Sequence, residues 1–221
     1  MKRFLIILAL IPLLAGCGER YTWRQKLVLE VETPNGVVKG GSVVAMKMHW
    51  LAEWQHFASA TGVDSDVRGE ASFVEVAPGC YLFALINWKS YALGLRTYED
   101  GSRDQKDTAQ RLSRLHETRP LPREVWPTLV TFTFTFTFTF TDIADPTTVA
   151  EVDPADLAAS FGPGYRLKSV TLEITDETVT EGEVEKVLPW MNDGHTLKQL
   201  WPSLSHKAHE LLSSVRWVSR R

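Results

Sequence analysis

The chain has 221 residues, 44% hydrophobic and 23% charged, with a formal net charge of −3. This is the make-up of an ordinary globular protein; it excludes an intrinsically disordered chain, and the acidic balance excludes a nucleic-acid binder, which needs a basic face. The length allows one sizeable domain or two small ones.

The chain opens with the positive segment Met1-Lys2-Arg3, followed by an apolar run from Phe4 to Ala15. About twelve apolar residues fit the central region of a signal peptide and fall short of the roughly twenty that span a bilayer as a helix. The run ends in Leu14-Ala15-Gly16-Cys17, which resembles the lipobox of bacterial lipoproteins. The resemblance implies that residues 1–16 are a signal peptide removed after Gly16. It implies that the Cys17 sulfur takes a diacylglycerol, palmitate being a usual acyl chain. Residues 17–221 are then held at the cell envelope facing the periplasm, where two or three acyl chains make attachment stable. Asp directly after the cysteine resembles an inner-membrane retention signal; Gly18 stands there instead and favours the outer membrane. Residues 17–221 carry 22 basic and 27 acidic side chains, net −5, with no polybasic segment to grip anionic lipid. With Cys17 in a thioether, Cys80 has no disulfide partner. It starts the apolar run Tyr81–Ile86 and reads as a buried, inert thiol, with no Cys-His signature of a nucleophile around it.

In chain order, Gln25–Thr33 alternates, with Leu27, Leu29 and Val31 facing a core and Glu30 and Glu32 facing water. Pro34-Asn35-Gly36 follows, and Asn-Gly between alternating runs is a strong hairpin signal. The return strand is Val37–Trp50, with Val44, Met46, Met48 and Trp50 on one parity and Gly40-Gly41 marking a bulge or twist. Residues 51–66 carry a helical stripe (Trp50, Trp54, Phe57) and also breakers (Gly62, Asp64-Ser65-Asp66), and support no single element. Val67–Val76 and Tyr81–Trp88 are two more strands around Pro78-Gly79, so four segments form an antiparallel meander. Residues 89–98 read as a helix stopped by Asp100-Gly101. Ser102 and Gln105 fit a capping box, opening a polar helix to about Thr118 with an Ala109/Leu112/Leu115 stripe, ended by Pro120 and Pro122.

Five Thr-Phe pairs run from Thr131 to Phe140. Their period of two places every Phe on one face with Val130, and insertion of further pairs leaves that parity unchanged. The strand Val125–Thr141 reaches about 46 Å over its last fourteen residues at roughly 3.3 Å each. A globule of the mature length is only about 40–45 Å across, so one end projects or bends.

Asp153-Pro154 reads as an N-cap with Pro in the first turn of a short helix, Ala155–Ser160, closed by Gly162-Pro163-Gly164. Tyr165–Thr175 is a strand with Val170, Leu172 and Ile174 on its core face. The acidic segment Asp176–Gly194 is loop-rich, anchored by Val187-Leu188-Pro189-Trp190. A last helix, Ser203–Val215, aligns Leu204, Ala208, Leu211, Leu212 and Val215. The expected fold is therefore α+β: an antiparallel sheet, made of the N-terminal meander plus later strands, with two or three packed helices, in one domain of residues 17–221. Three short phrases, Asp142-Ile143-Ala144-Asp145-Pro146, Phe161-Gly162-Pro163-Gly164 and Leu188-Pro189-Trp190, are similar to uncharacterised lipoproteins of proteobacteria. That similarity brings no activity with it, and the Thr-Phe repeat departs from it.

Few residues point to chemistry. His206 and His209 stand three apart beside Glu210, but the spacing is not that of a zinc-protease helix, and both face away from the Leu204/Leu211 stripe. His49, His56, His116 and His195 have no partner at metal-ligand spacing. Asp142, Asp145, Asp153 and Asp156 form two pairs three apart that could approach calcium, although Asp145-Pro146 and Asp153-Pro154 also fit a turn and a cap; Asp64 and Asp66 are a weaker pair. Eight tryptophans, at 23, 50, 54, 88, 126, 190, 201 and 217, fill a core or present an aromatic patch. No nucleophile elbow or phosphate-binding glycine loop is present. The expected function is a membrane-anchored lipoprotein with a non-enzymatic binding or structural module, bound to the membrane through its lipid and to an envelope protein partner, without cofactor, metal or nucleic acid. The competing expectation is a hydrolase of cell-envelope material using the paired carboxylates. Cys17 is the one residue assigned a chemical role, lipidation.

Overall fold

Alternation from Trp23 to Val31 builds the long strand β1 (Glu19–Thr33), which lies between two partners in a computed structural model of the chain. The structure describes residues 18–52, 62–86, 90–101, 104–132, 143, 145–192, 198–213 and 218–219. On one side β1 pairs along its full length with β2 (Gly36–Trp50). On the other, from Gln25 to Glu32, it pairs with β9 (Arg166–Ile174). Adding β3 (Val63–Glu70), β6 (Glu117–Pro120) and β10 (Val218–Ser219) gives a first sheet of order β10-β3-β2-β1-β9-β6. A second sheet has order β4-β5-β7-β8, from β4 (Ser72–Ala77), β5 (Cys80–Ala84), β7 (Leu129–Phe132) and β8 (Val149–Glu151). The described helices are α1 (Ser90–Thr97), α2 (Gln105–Leu112), α3 (Leu157–Phe161), α4 (Glu183–Val187) and α5 (His206–Ser213). The fold is α+β.

Three layers follow from which faces are apolar. The inner face of the first sheet (Leu27, Leu29, Val31, Met46, Met48, Val170, Leu172) packs on Val74, Val76, Leu82 and Ala84 of the second sheet and on α1 and α2. The opposite face of the second sheet (Phe83, Val130, Phe132, Val149) is covered by Val184 and Leu188 around α4 and by Leu204, Ala208 and Leu211 around α5. Being covered on both sides, all four residues of β7 are buried. The rest of the Thr-Phe repeat, from Thr133 onwards, lies outside the described residues, as do residues 1–17, Trp54, His56, Phe57, Trp88, Ser102, Asp142, His195, Val215 and Trp217.

Several expectations are corrected. The hairpin turn is centred on Pro34-Asn35, not Asn35-Gly36: Thr33 pairs with Gly36, no non-glycine residue among those described has positive φ, and Gly36 takes φ 122° just after the turn. Pro fixes φ near −65°, which suits the first central position of a type I turn and excludes the type I′ turn that Asn-Gly favours. Gly40 and Gly41 make no bulge, since β1 and β2 stay in register through them; they allow close approach. A Cβ on Gly40 would collide with the Phe73 carbonyl and lie 2.8 Å from Val74 Cα, where β4 crosses. The irregularity falls between Glu30 and Val31 against β9.

The expected strand Val67–Val76 is two strands in different sheets. The chain passes from β3 to β4 at the fully buried Ala71, with Gly69 at φ 132°, so the four-segment meander is really three strands plus a β4–β5 hairpin. The polar helix ends at Leu112 instead of Thr118, because Glu117–Pro120 pairs as an edge strand with β9. Its N-cap is Asp104, whose carboxylate accepts from Lys106 N at 2.8 Å. Likewise the short helix is capped by Asp156, three residues after the expected cap, while Asp153 accepts from Ala155 N in a preceding turn. Cys80 is half-buried instead of buried.

Candidate functional site

β1 runs six residues past the last β9 pairing, from Glu19 to Arg24. There Thr175 N donates to Arg24 O at 3.1 Å, and β9 goes no further. Because backbone groups alternate in direction along a strand, the main chain of Thr22 points the same way, towards the space that β9 vacates. The loop after α2 forms the opposite wall. Between them lies a cleft of about 470 Å³, within the range of small-ligand sites.

Its floor is apolar, made by Trp23, Met46, Leu112 and Ile174; its rim is charged, made by Arg24, Lys47, Arg68, His116, Asp66 and Asp176. The register explains the rim. β6 pairs Glu117 with Ile174, which carries His116 beside Asp176: Nε2 and Oδ2 are 2.6 Å apart, both side chains exposed. Arg24 Nη2 lies 3.8 Å from the other Asp176 oxygen, and its Nη1 donates to Glu177 O at 3.0 Å. Ser113 lines the same cleft, but its hydroxyl donates to Gln110 O at 2.6 Å. A nucleophile needs a hydrogen bond to its base, and this hydroxyl is turned to the helix end. What the cleft offers is an apolar floor, an ionic rim and a stretch of strand edge: the parts that seat a peptide or an amphiphilic small molecule.

The segment after β9 closes the outer face of the first sheet. Glu177 accepts from Lys26 Nζ at 2.8 Å. Thr180 exchanges backbone and hydroxyl hydrogen bonds with Val43 at 3.0 and 2.9 Å, at the edge position that β3 has left. Arg68 donates to Glu181 at 2.8 Å. The strap then enters α4, whose first amides, Glu183 N and Val184 N, donate to Glu70 at 3.2 Å. Glu70 is fully buried, and burial pushes its carboxyl up from the usual range against the pull of those amides. Strap contact also buries Val43, although its parity faces outward.

The residues singled out by sequence are dispersed. Asp145, Asp153 and Asp156 each accept from a nearby backbone amide (Thr147, Ala155 and Ala159, at 2.8, 2.8 and 3.2 Å), so each acts as a local cap. His206 is exposed; His209 meets Trp201 edge-on at 4.8 Å, and Glu210 bonds Lys207 at 3.3 Å. Asp64 and Asp66 lie on β3 opposite His49 and Lys47. Among the described residues, no three His, Cys, Asp or Glu side chains are grouped to hold a metal. Of the tryptophans, Trp23 and Trp190 are core residues with their ring N–H groups bonded to Gln25 Oε1 and Ile143 O. Trp50 and Trp126 are half-buried, and Trp201 is exposed. The cleft residues Arg24, Arg68 and Asp176 were not anticipated. They come from two strands and a strap, and no local spacing marks them.

No protein-family model, no curated protein and no solved structure matches the chain.

Proposed function

We propose that the protein is a lipid-anchored envelope protein whose α+β domain is a non-enzymatic binding module. The anchor is a diacylglyceryl thioether on Cys17, and the binding surface is the cleft beside the open edge of β1. One observation carries the reading: the apolar run ends in Leu14-Ala15-Gly16-Cys17, and the first strand begins at Glu19. Cleavage before Cys17 thus removes none of the residues in the described cores. Among the described residues no helix is long and apolar enough to cross a membrane. The cleft supports the binding role through its apolar floor and charged rim; the Ser113 hydroxyl is bonded to Gln110 O and the His116 imidazole to Asp176, not to each other.

Mass spectrometry of the mature N-terminus tests the anchor. The expected species begins at Cys17 and carries a diacylglyceryl group and an amide-linked acyl chain, and Cys17→Ala leaves the signal peptide uncut. A mature chain starting elsewhere, or an unmodified Cys17 thiol, overturns the reading. A photo-crosslinking residue at Thr22 tests the cleft: a partner captured there and lost on Arg68→Glu is the expected result.

A further inference from the structure

A lipoprotein tethered by a long linker can stand away from its membrane; this one has no linker. Gly18 is the single residue between Cys17 and β1, and it is already packed on β2: a Cβ there would collide with the Trp50 carbonyl and lie 2.9 Å from His49 Nε2. We propose that the end of the first sheet where β1 begins, β2 ends and β3 begins is a membrane-contact surface seated in the lipid headgroup layer. The inference rests on the lipid anchor at Cys17 proposed above.

The geometry is short enough to decide it. A lipidated Cys17 sits at the glycerol level of the leaflet. Two residues of extended chain reach at most about 7 Å beyond it, and the headgroup layer is about 5–8 Å deep on each side. Glu19 and its β2 partner Trp50 are therefore held within that layer or at its outer boundary.

The side chains suit the place. Tyr21 and Trp50 form an edge-to-face pair, with centroids 5.9 Å apart and planes at 67°, both half-buried. Tyr and Trp are the residues that settle at membrane–water interfaces, with an apolar body and a polar tip. Leu51 and Val63, also half-buried, continue the apolar part, and Leu51 N donates to Gly62 O at 2.9 Å to close the β2–β3 end. Arg20 stands opposite His49, with Asp64 across the next strand. Lys106 Nζ neutralises Glu19 at 2.6 Å and the Tyr21 hydroxyl donates to it at 2.6 Å, and both contacts hold its carboxyl below the usual range. With Glu19 so paired, Arg20 is the cation of β1 at this end suited to a lipid phosphate. The hairpin tip at Pro34-Asn35 stands fifteen residues along β1, about 50 Å away at roughly 3.3 Å per residue.

Fluorescence quenching in vesicles tests the contact. The acylated full-length protein, in a Cys80→Ser background, is given one bimane-labelled cysteine at Arg20, Asp64 or Asn35. It is reconstituted in phosphatidylethanolamine–phosphatidylglycerol vesicles containing lipids with a nitroxide on the headgroup. Bimane at positions 20 and 64 is expected to lose most of its emission, and bimane at position 35 to keep it. Protein that floats with the vesicles but is quenched no more at 20 and 64 than at 35 overturns the contact surface and leaves the anchor standing. Protein that does not float overturns the anchor and the contact together. Should the substitution at residue 20 block maturation, the Asp64→Cys variant reads the same surface.

Discussion

Tyr98 shows how one side chain holds separate segments. Its ring is 1% exposed, and its hydroxyl lies 2.7 Å from Leu172 O on β9 and 2.5 Å from Glu117 O on β6. Burial, with the Glu117 charge second, pushes this phenol up to about 12. A raised phenol is stabilised in its neutral form, so its contribution is complete below the unfolded value near 10 and is lost as pH climbs through 12. Thermal unfolding followed from pH 9 to pH 12 should show a loss of about 2–3 kcal/mol across that window, and Tyr98→Phe should remove the step. At neutral pH the same substitution should cost about 1–2 kcal/mol, because a buried hydroxyl bond to backbone carbonyls is gone. At this scale the sequence was legible where a residue's role is local. The core parity of Leu27, Leu29, Val31, Met46, Met48, Val170, Leu172 and Ile174 was read correctly from alternation. Tyr98 and the His116–Asp176 pair were not, because their partners lie up to seventy-four residues away and nothing in their neighbourhoods encodes the distance.

Elements were legible when a period and a stop signal coincided. β2, β9 and α1 fall close to where alternation, Asn-Gly or Asp-Gly placed them, and β1 ends where expected but begins at Glu19, six residues before Gln25. The errors came where tertiary contact overrode a local signal. Glu117–Pro120 carries the tail of a helical pattern but is taken by the edge of β9, where Pro120 is tolerated. Gly40-Gly41 carries the mark of a bulge but serves a crossing of strands. That crossing can be measured: Gly40→Ala forces a methyl into the Phe73 carbonyl and against the Val74 backbone, and neither is a flexible side-chain end that could move aside. A loss of about 2–4 kcal/mol in urea unfolding is expected. Gly36→Ala is the control for backbone strain alone, since that Cβ meets nothing within 4 Å; its smaller cost would separate conformation from collision.

The whole molecule is bound together by segments that belong to two layers at once. Val63–Ala77 is β3 in the first sheet and β4 in the second, Glu70 in its middle receives the amides of α4, and the strap from Thr175 to Gly182 joins β9, β1, β2 and β3. Shared segments of this kind couple their cores, so urea unfolding monitored by tryptophan emission and by far-ultraviolet circular dichroism should give one coincident transition. Two separated midpoints would mean that the helix-covered core melts alone. The same connectivity also sets an order in time. A chain delivered from its N-terminus, as in synthesis, presents β1 and β2 first, and they can close at once as a hairpin. β9, which completes the other side of β1, begins roughly 130 residues later. Throughout that interval the central strand of the first sheet shows an unfilled edge from Gln25 to Glu32. The newborn domain is then most open to mispairing, and to any escort that shields a strand edge.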